Sequence, residues 1–159
     1  MAIIASRIDG RLIHGQVANL WGMKLGITRF MVIDDEVAQN DVEKQSLKLA
    51  TPAGIRLSVL PVEKAATNIK NGKYDSQRLM IVARKPDRFL RLLDYGVDFG
   101  TLNVGNMSQS DDTRSITNSI NVTDEDVRVF EELDAKGVDI VSQMVPNNKA
   151  EAFMPLLKK

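Results

Sequence analysis

Short apolar runs alternating with longer amphipathic stretches, from residue 2 to about residue 143, constrain this chain more than any other feature. That alternation is the pattern of βαβ units around a mostly parallel sheet, because each strand must be covered by the helix that follows it. Strands are expected near residues 2–8, 29–34, 56–60, 79–83, 100–104, 119–122 and 138–143. Phe30-Met31-Val32-Ile33 and Leu79-Met80-Ile81-Val82-Ala83 are continuous apolar runs, which suits strands covered on both faces and places them centrally. The expected fold is α/β, with a predominantly parallel central sheet of about seven strands and helices on both faces. At 159 residues, with 43% apolar and 26% charged side chains, the chain has the size and balance of one globular domain, taken as residues 1–159.

The helices between the runs carry their own punctuation. Pro61 and Pro86 stand where a first helical position is expected, since the missing N–H costs nothing there. Gly72, Gly96 and Gly137 fall where a left-handed stop is wanted. Thr123 with Asp126 has capping-box spacing, with Asp where Glu or Gln is usual, and Val127, Phe130 and Leu133 supply a buried stripe. Residues 105–118 are polar enough to read as a long surface loop.

Several functions are disfavoured at once. Lys plus Arg equals Asp plus Glu, 21 each, so no broad positive field holds the chain to nucleic acid or to an anionic membrane. There is no cysteine and a single histidine, which removes thiolate chemistry and makes a histidine-based metal site improbable. The opening Met1-Ala2-Ile3-Ile4-Ala5 is far shorter than a signal-peptide core or the ~20 residues of a membrane span, so a cytoplasmic location is expected.

Chemistry concentrates in Arg7-Ile8-Asp9-Gly10-Arg11-Leu12-Ile13-His14-Gly15-Gln16-Val17, between the first strand and the helix of Val17, Ala18, Leu20 and Trp21. Such a loop lies at the carboxyl end of the sheet, where ligands bind and a helix offers free N–H groups to an anion. His14 is the candidate nucleophile, because a neutral imidazole nitrogen attacks phosphorus and the resulting phosphoramidate passes its group onward. Arg7 and Arg11 are candidate phosphate clamps, since a planar guanidinium holds two oxygens. Gly15 permits close backbone approach. A carboxylate repels a phosphate dianion, so Asp9 is expected either to orient an arginine or to hydrogen-bond the imidazole and select its tautomer.

This segment resembles the phosphorylation loop of the mannose/fructose/sorbose-type IIB components of the phosphotransferase system. Their pattern Arg-Ile-Asp-Asp/Asn-Arg-Leu-Ile/Val-His-Gly-Gln-Val is matched from Arg7 to Val17 with one departure, Gly10 in place of the usual polar residue. Further landmarks follow in order: Trp21, Asp34-Asp35, Leu102 to Met107, and Glu132-Leu133 through Gly137-Val138. The resemblance implies a protein phosphohistidine–sugar phosphotransferase that works through a covalent phosphohistidine, without cofactor or metal. It implies that His14 receives the group from a IIA donor and passes it to a sugar held by IIC and IID membrane components. Arg11 would bind phosphate, and Asp9 and Gln16 would support it. The membrane partners hold the sugar, so mannose, fructose, sorbose and N-acetylgalactosamine are all compatible. Gly10 is expected to add backbone freedom and to tune the loop.

Other residues are weighed against plainer roles. Asp34-Asp35-Glu36 suggests a magnesium site of the receiver type, but the third strand ends at Leu60-Pro61 without an acceptor aspartate, and a solvated strand end explains the acids better. Arg84 and Lys85, after the fourth strand, could face a phosphorylated partner or be ordinary exposed charges. Asn103, Gly105 and Asn106 could wall the site, with Asn106 partner-facing, or form a simple turn. Trp21 reads as a packing anchor. The rival to a phosphocarrier is a non-catalytic anion-binding regulatory module using the same loop.

Overall fold

The computed structural model describes residues 2–158, and the side chains of Gln16 and Val17 lie outside the described set. Five parallel strands form where apolar runs were expected: β1 (Ile3–Asp9), β2 (Arg29–Ile33), β3 (Arg56–Leu60), β4 (Leu79–Ala83) and β5 (Leu102–Asn106). Two shorter strands, β8 (Ile140–Ser142) and β9 (Glu151–Ala152), complete a seven-stranded sheet in the order β3-β2-β4-β1-β5-β8-β9, with only β9 antiparallel. All of β4 and most of β2 are buried, as continuous apolar runs require of strands covered on both sides.

Helices α1 (Gly15–Leu25) and α2 (Asp41–Ala50) cover one face, where Ala18, Trp21 and Leu47 pack on Phe30, Val32, Met80 and Val82. Helices α3 (Val62–Lys70), α4 (Pro86–Asp94) and α5 (Asp124–Ala135) cover the other, with Ala65, Phe89, Leu92 and Phe130 against Met31, Ile33 and Ile81. The chain leaves β1 toward β2 over one face and leaves β4 toward β5 over the other. A topological switch therefore falls at β1, at the carboxyl end where ligand clefts form in such sheets.

Most of the helix punctuation behaves as expected. Gly72, Gly96 and Gly137 have φ of 77°, 94° and 90° just past α3, α4 and α5. Thr123 and Asp126 close a reciprocal capping box. Pro86 opens α4, but Pro61 is the residue before α3 rather than its first position.

Two expectations need correction. The strand near 119–122 does not join the main sheet: β7 (Ile120–Val122) pairs antiparallel with β6 (Arg114–Thr117) in a separate ribbon. That ribbon occupies part of what reads as a loop at 105–118, because Ile116 turns into the core while Arg114 and Ser115 stay exposed. The second correction is at the far edge, where β9 and the short α6 (Met154–Leu157) go unanticipated. Phe153 between them stacks on Phe130 with ring centroids 4.6 Å apart. No helix among the described residues is long and apolar enough to cross a membrane.

Candidate functional site

The loop after β1 is built around one buried carboxylate. Asp9, at the end of β1, is 1% exposed and receives four contacts. Its Oδ1 accepts the Arg11 N–H at 3.0 Å and Arg11 Nε at 3.4 Å. Its Oδ2 faces Arg7 Nη2 and His14 Nε2, each at 3.4 Å. The Leu12 N–H donates to the Asp9 carbonyl at 2.9 Å, closing a tight turn. That turn needs Leu12 at φ +60°, an uncommon conformation for a buried leucine, costing roughly 1–2 kcal/mol. The strained turn folds the chain back so that His14, five residues on, stands over Asp9.

His14 is the N-cap of α1, in extended conformation, and its side chain makes no cap hydrogen bond. No acidic residue lies in the first turn, so the free N–H groups and positive end of the helix stay unneutralised there. The imidazole is 27% exposed, with Nε2 toward the buried carboxylate. At Gly15 an added Cβ would meet nothing within 4 Å and φ is not positive, so its small size matters only toward something arriving from outside.

The two arginines differ sharply. The Arg11 side chain is 45% exposed and Arg7 is 2% exposed. Arg7 Nη1 donates to the Gln143 carbonyl at 2.9 Å and Nη2 to the Met144 carbonyl at 3.0 Å, while its guanidinium lies 5.5 Å from the Trp21 ring centroid. Gly105 makes room for it, since any Cβ there would overlap the guanidinium. Burial pushes the Arg7 pKa below its ordinary value, opposed by Asp9. Arg7, expected to clamp phosphate, is enclosed beneath the loop with its guanidinium on Asp9 and on the two carbonyls.

Gly10 also differs from expectation. Its φ is not positive, and a Cβ would overlap Ser108 Oγ and come within 3.0 Å of Ser108 N. Rather than adding freedom, glycine lets the loop lie flat on the strand beside it, where the Gly10 N–H donates to the Asn106 carbonyl at 2.9 Å. Asn106 itself is turned against this loop, its Oδ1 buried and unpartnered among the described residues.

The remaining candidates disperse. Arg84, partly exposed, pairs with Glu43, and Lys85 pairs with Asp126 at 3.1 Å. Asp34 is buried, not solvated: it accepts the Glu36 and Val37 N–H groups and pairs with Arg88 at 3.0 Å. Asn103 brackets Gln143, donating to its carbonyl at 3.0 Å and accepting its N–H at 2.8 Å. Trp21 is the packing anchor expected, and its Nε1 also donates to the Met144 carbonyl at 3.1 Å. Gln16, expected to support the site, has a side chain outside the described set.

Gln143 and Met144 were missed. Their carbonyls tie Arg7, Asn103 and Trp21 together beneath the loop, and backbone acceptors leave no trace in side-chain identity. Their position after the last parallel strand, at the same sheet end as His14, was the one available clue.

A family model described as PTS system sorbose subfamily IIB component matches residues 3–159. The PTS system fructose-specific EIIB component of Bacillus subtilis is 32% identical over 158 residues, covering 99% of this chain and 97% of that protein. The mannose-specific EIIAB component of Escherichia coli K12 is 33% identical over 159 residues, and this chain spans 49% of its length. The solved IIBSor domain of the sorbose permease from Klebsiella pneumoniae superposes with a TM-score of 0.94 at 28% identity, covering 99% of this chain and 97% of that one. On matched length, identity and shared fold, this chain belongs to the sorbose subfamily of IIB components of the phosphotransferase system.

Proposed function

We propose that the chain is a protein phosphocarrier in which His14 takes a phosphoryl group from the phosphohistidine of a IIA partner. It then passes the group to a sugar held by IIC and IID membrane components, working at the cytoplasmic side without cofactor or metal. The observation that carries this reading is the partly exposed imidazole directed by Nε2 onto a fully buried carboxylate at an uncapped helix N-terminus.

A proton on Nε2 directed at Asp9 leaves the lone pair on Nδ1, which makes Nδ1 the attacking atom. Nδ1 bonds to phosphorus as the donor's phosphorus–nitrogen bond breaks, and the electron pair leaves with the donor imidazole. Positive charge grows on His14 during attack, and Asp9 offsets it. In the second step a sugar hydroxyl oxygen attacks phosphorus, Nδ1 leaves with its pair, and the hydroxyl proton is lost to a base. Arg11, anchored by Nε to Asp9, keeps its outer nitrogens for the transferred oxygens, joined by the first N–H groups of α1. Arg7 acts from below by fixing Asp9.

The fusion implied by the name of the E. coli EIIAB relative supports a IIA donor. Incubation with the general phosphotransferase proteins, a IIA component and labelled phosphoenolpyruvate should give an acid-labile, base-stable adduct on this chain that is absent from His14→Ala. A chain that binds phosphate yet never acquires label is the anion-binding module instead.

A further inference from the structure

β3 ends the sheet, and half of its backbone is unpaired. The Arg56 N–H donates to Thr28 at 2.9 Å, and the Leu60 carbonyl accepts from Asp34 at 3.0 Å, so residues 56, 58 and 60 turn their peptide groups toward β2. By the period of two, the N–H and C=O groups of Leu57 and Val59 face outward. Along that edge, beneath α2, runs an open groove of about 640 Å³.

Arg29, Lys44, Lys48 and Arg56 line the groove, and no carboxylate does. None of the four forms an ion pair among the described residues. Arg29 bonds only the neutral Gln77 and Ser58 side chains. By contrast Arg84, Lys85, Arg88 and Arg91, around the opposite sheet end, each hold an acid. In a chain of zero formal net charge, this is a local excess. The charges also flank the edge on both sides. Lys44 and Lys48 belong to α2, which shares a core cluster with Leu57 and Val59. Arg29 and Arg56 sit side by side in register and alternate with those two leucine and valine positions.

We propose that the open edge of β3 takes an extended acidic segment of a partner protein as an added strand. The outward peptide groups of Leu57 and Val59 supply the ladder, and alternate acidic side chains meet cations above and below it. A second copy of this chain would set the same cations against one another, which like-charge repulsion opposes. The surface is at the amino end of the sheet, and β2 and β4 stand between β3 and β1. The inference is thus independent of what His14 does.

The test uses the full chain and an acetylated octapeptide of alternating glutamate and valine, followed by fluorescence anisotropy at low salt. Saturable binding is expected, weakened about ten-fold or more by Lys44→Glu/Lys48→Glu, with amide exchange at Leu57 and Val59 slowed by a similar factor. A peptide of the same charge N-methylated at alternate residues should bind about ten-fold more weakly, because it lacks ladder donors. Absent binding, equal binding by the N-methylated peptide or by the double variant, unchanged exchange at Leu57 and Val59, or edge-to-edge dimerisation of the chain would each overturn the proposal.

Discussion

At the residue scale, the proposed phosphocarrier role separates groups that would touch the phosphoryl from groups that hold them in place, and substitution can tell the two apart. Arg7→Met should lower stability by about 3 kcal/mol in urea unfolding, because it removes the buried cation facing a buried carboxylate and one of the two donors to each of two backbone carbonyls. Arg11→Ala should cost less than about 1 kcal/mol of stability, as expected of a half-exposed ion pair. It should nonetheless slow transfer by about two to four kcal/mol of barrier, the loss typical of one charged donor. Unchanged transfer in that variant removes Arg11 from the clamp. Gly15→Ala is expected to fold at least as well, since nothing crowds the position, while transfer slows in a rapid-quench assay. Gly10→Asn should destabilise by about 1 kcal/mol through Ser108, and Ser108→Gly in the same chain should recover part of it. His14, Asp9 and Arg11 were legible beforehand because they sit within one short run, whereas the burial of Arg7 was not, since the carbonyls that capture it come from residues 143 and 144.

At the scale of elements, legibility followed burial. β4 and, after Arg29, β2 announce themselves because both faces are covered and the run is continuously apolar, while β6 and β9 are short and carry little apolar content. Their existence depends on a partner strand that single-chain periodicity does not report. The joints between elements are often ionic. Asp35 accepts the first N–H of α3 at 2.9 Å and pairs with Arg91 of α4 at 3.0 Å. The Val62 N–H is the main cause that holds its carboxyl below the usual range, burial opposes, and Arg91 adds to the lowering. A depressed folded-state value means that stabilisation is present above the unfolded value of about 3.9 and is lost as pH falls through the lower folded value. Asp35→Asn should therefore lower the unfolding midpoint slightly at pH 7, and the gap to the parent protein should close as pH falls through the depressed folded-state value. A gap independent of pH would assign the effect to packing.

At the scale of the whole molecule, the sheet order places the candidate loop where two chain directions part, with a core cluster packed on each face of the sheet. β1 is held on both sides by β4 and β5, so Asp9 stands at the end of an interior strand. Amide exchange should accordingly be slowest across β1, β2 and β4 and track global unfolding, with β9 and α6 exchanging far earlier. Equal protection throughout would contradict that hierarchy. The general architecture was legible from the alternation of runs, and the switch point followed from topology; the ribbon of β6 and β7 was not, because it pairs with itself and meets the main sheet only by a bridge at Met107, just past β5.

Trp21 gives this chain a built-in optical gauge. It is the single tryptophan, its ring lies under the Arg7 guanidinium, and its indole nitrogen is tethered to the Met144 carbonyl. Emission from that ring should shift when His14 becomes charged and stay constant in His14→Ala, so turnover can be watched in real time without any attached dye.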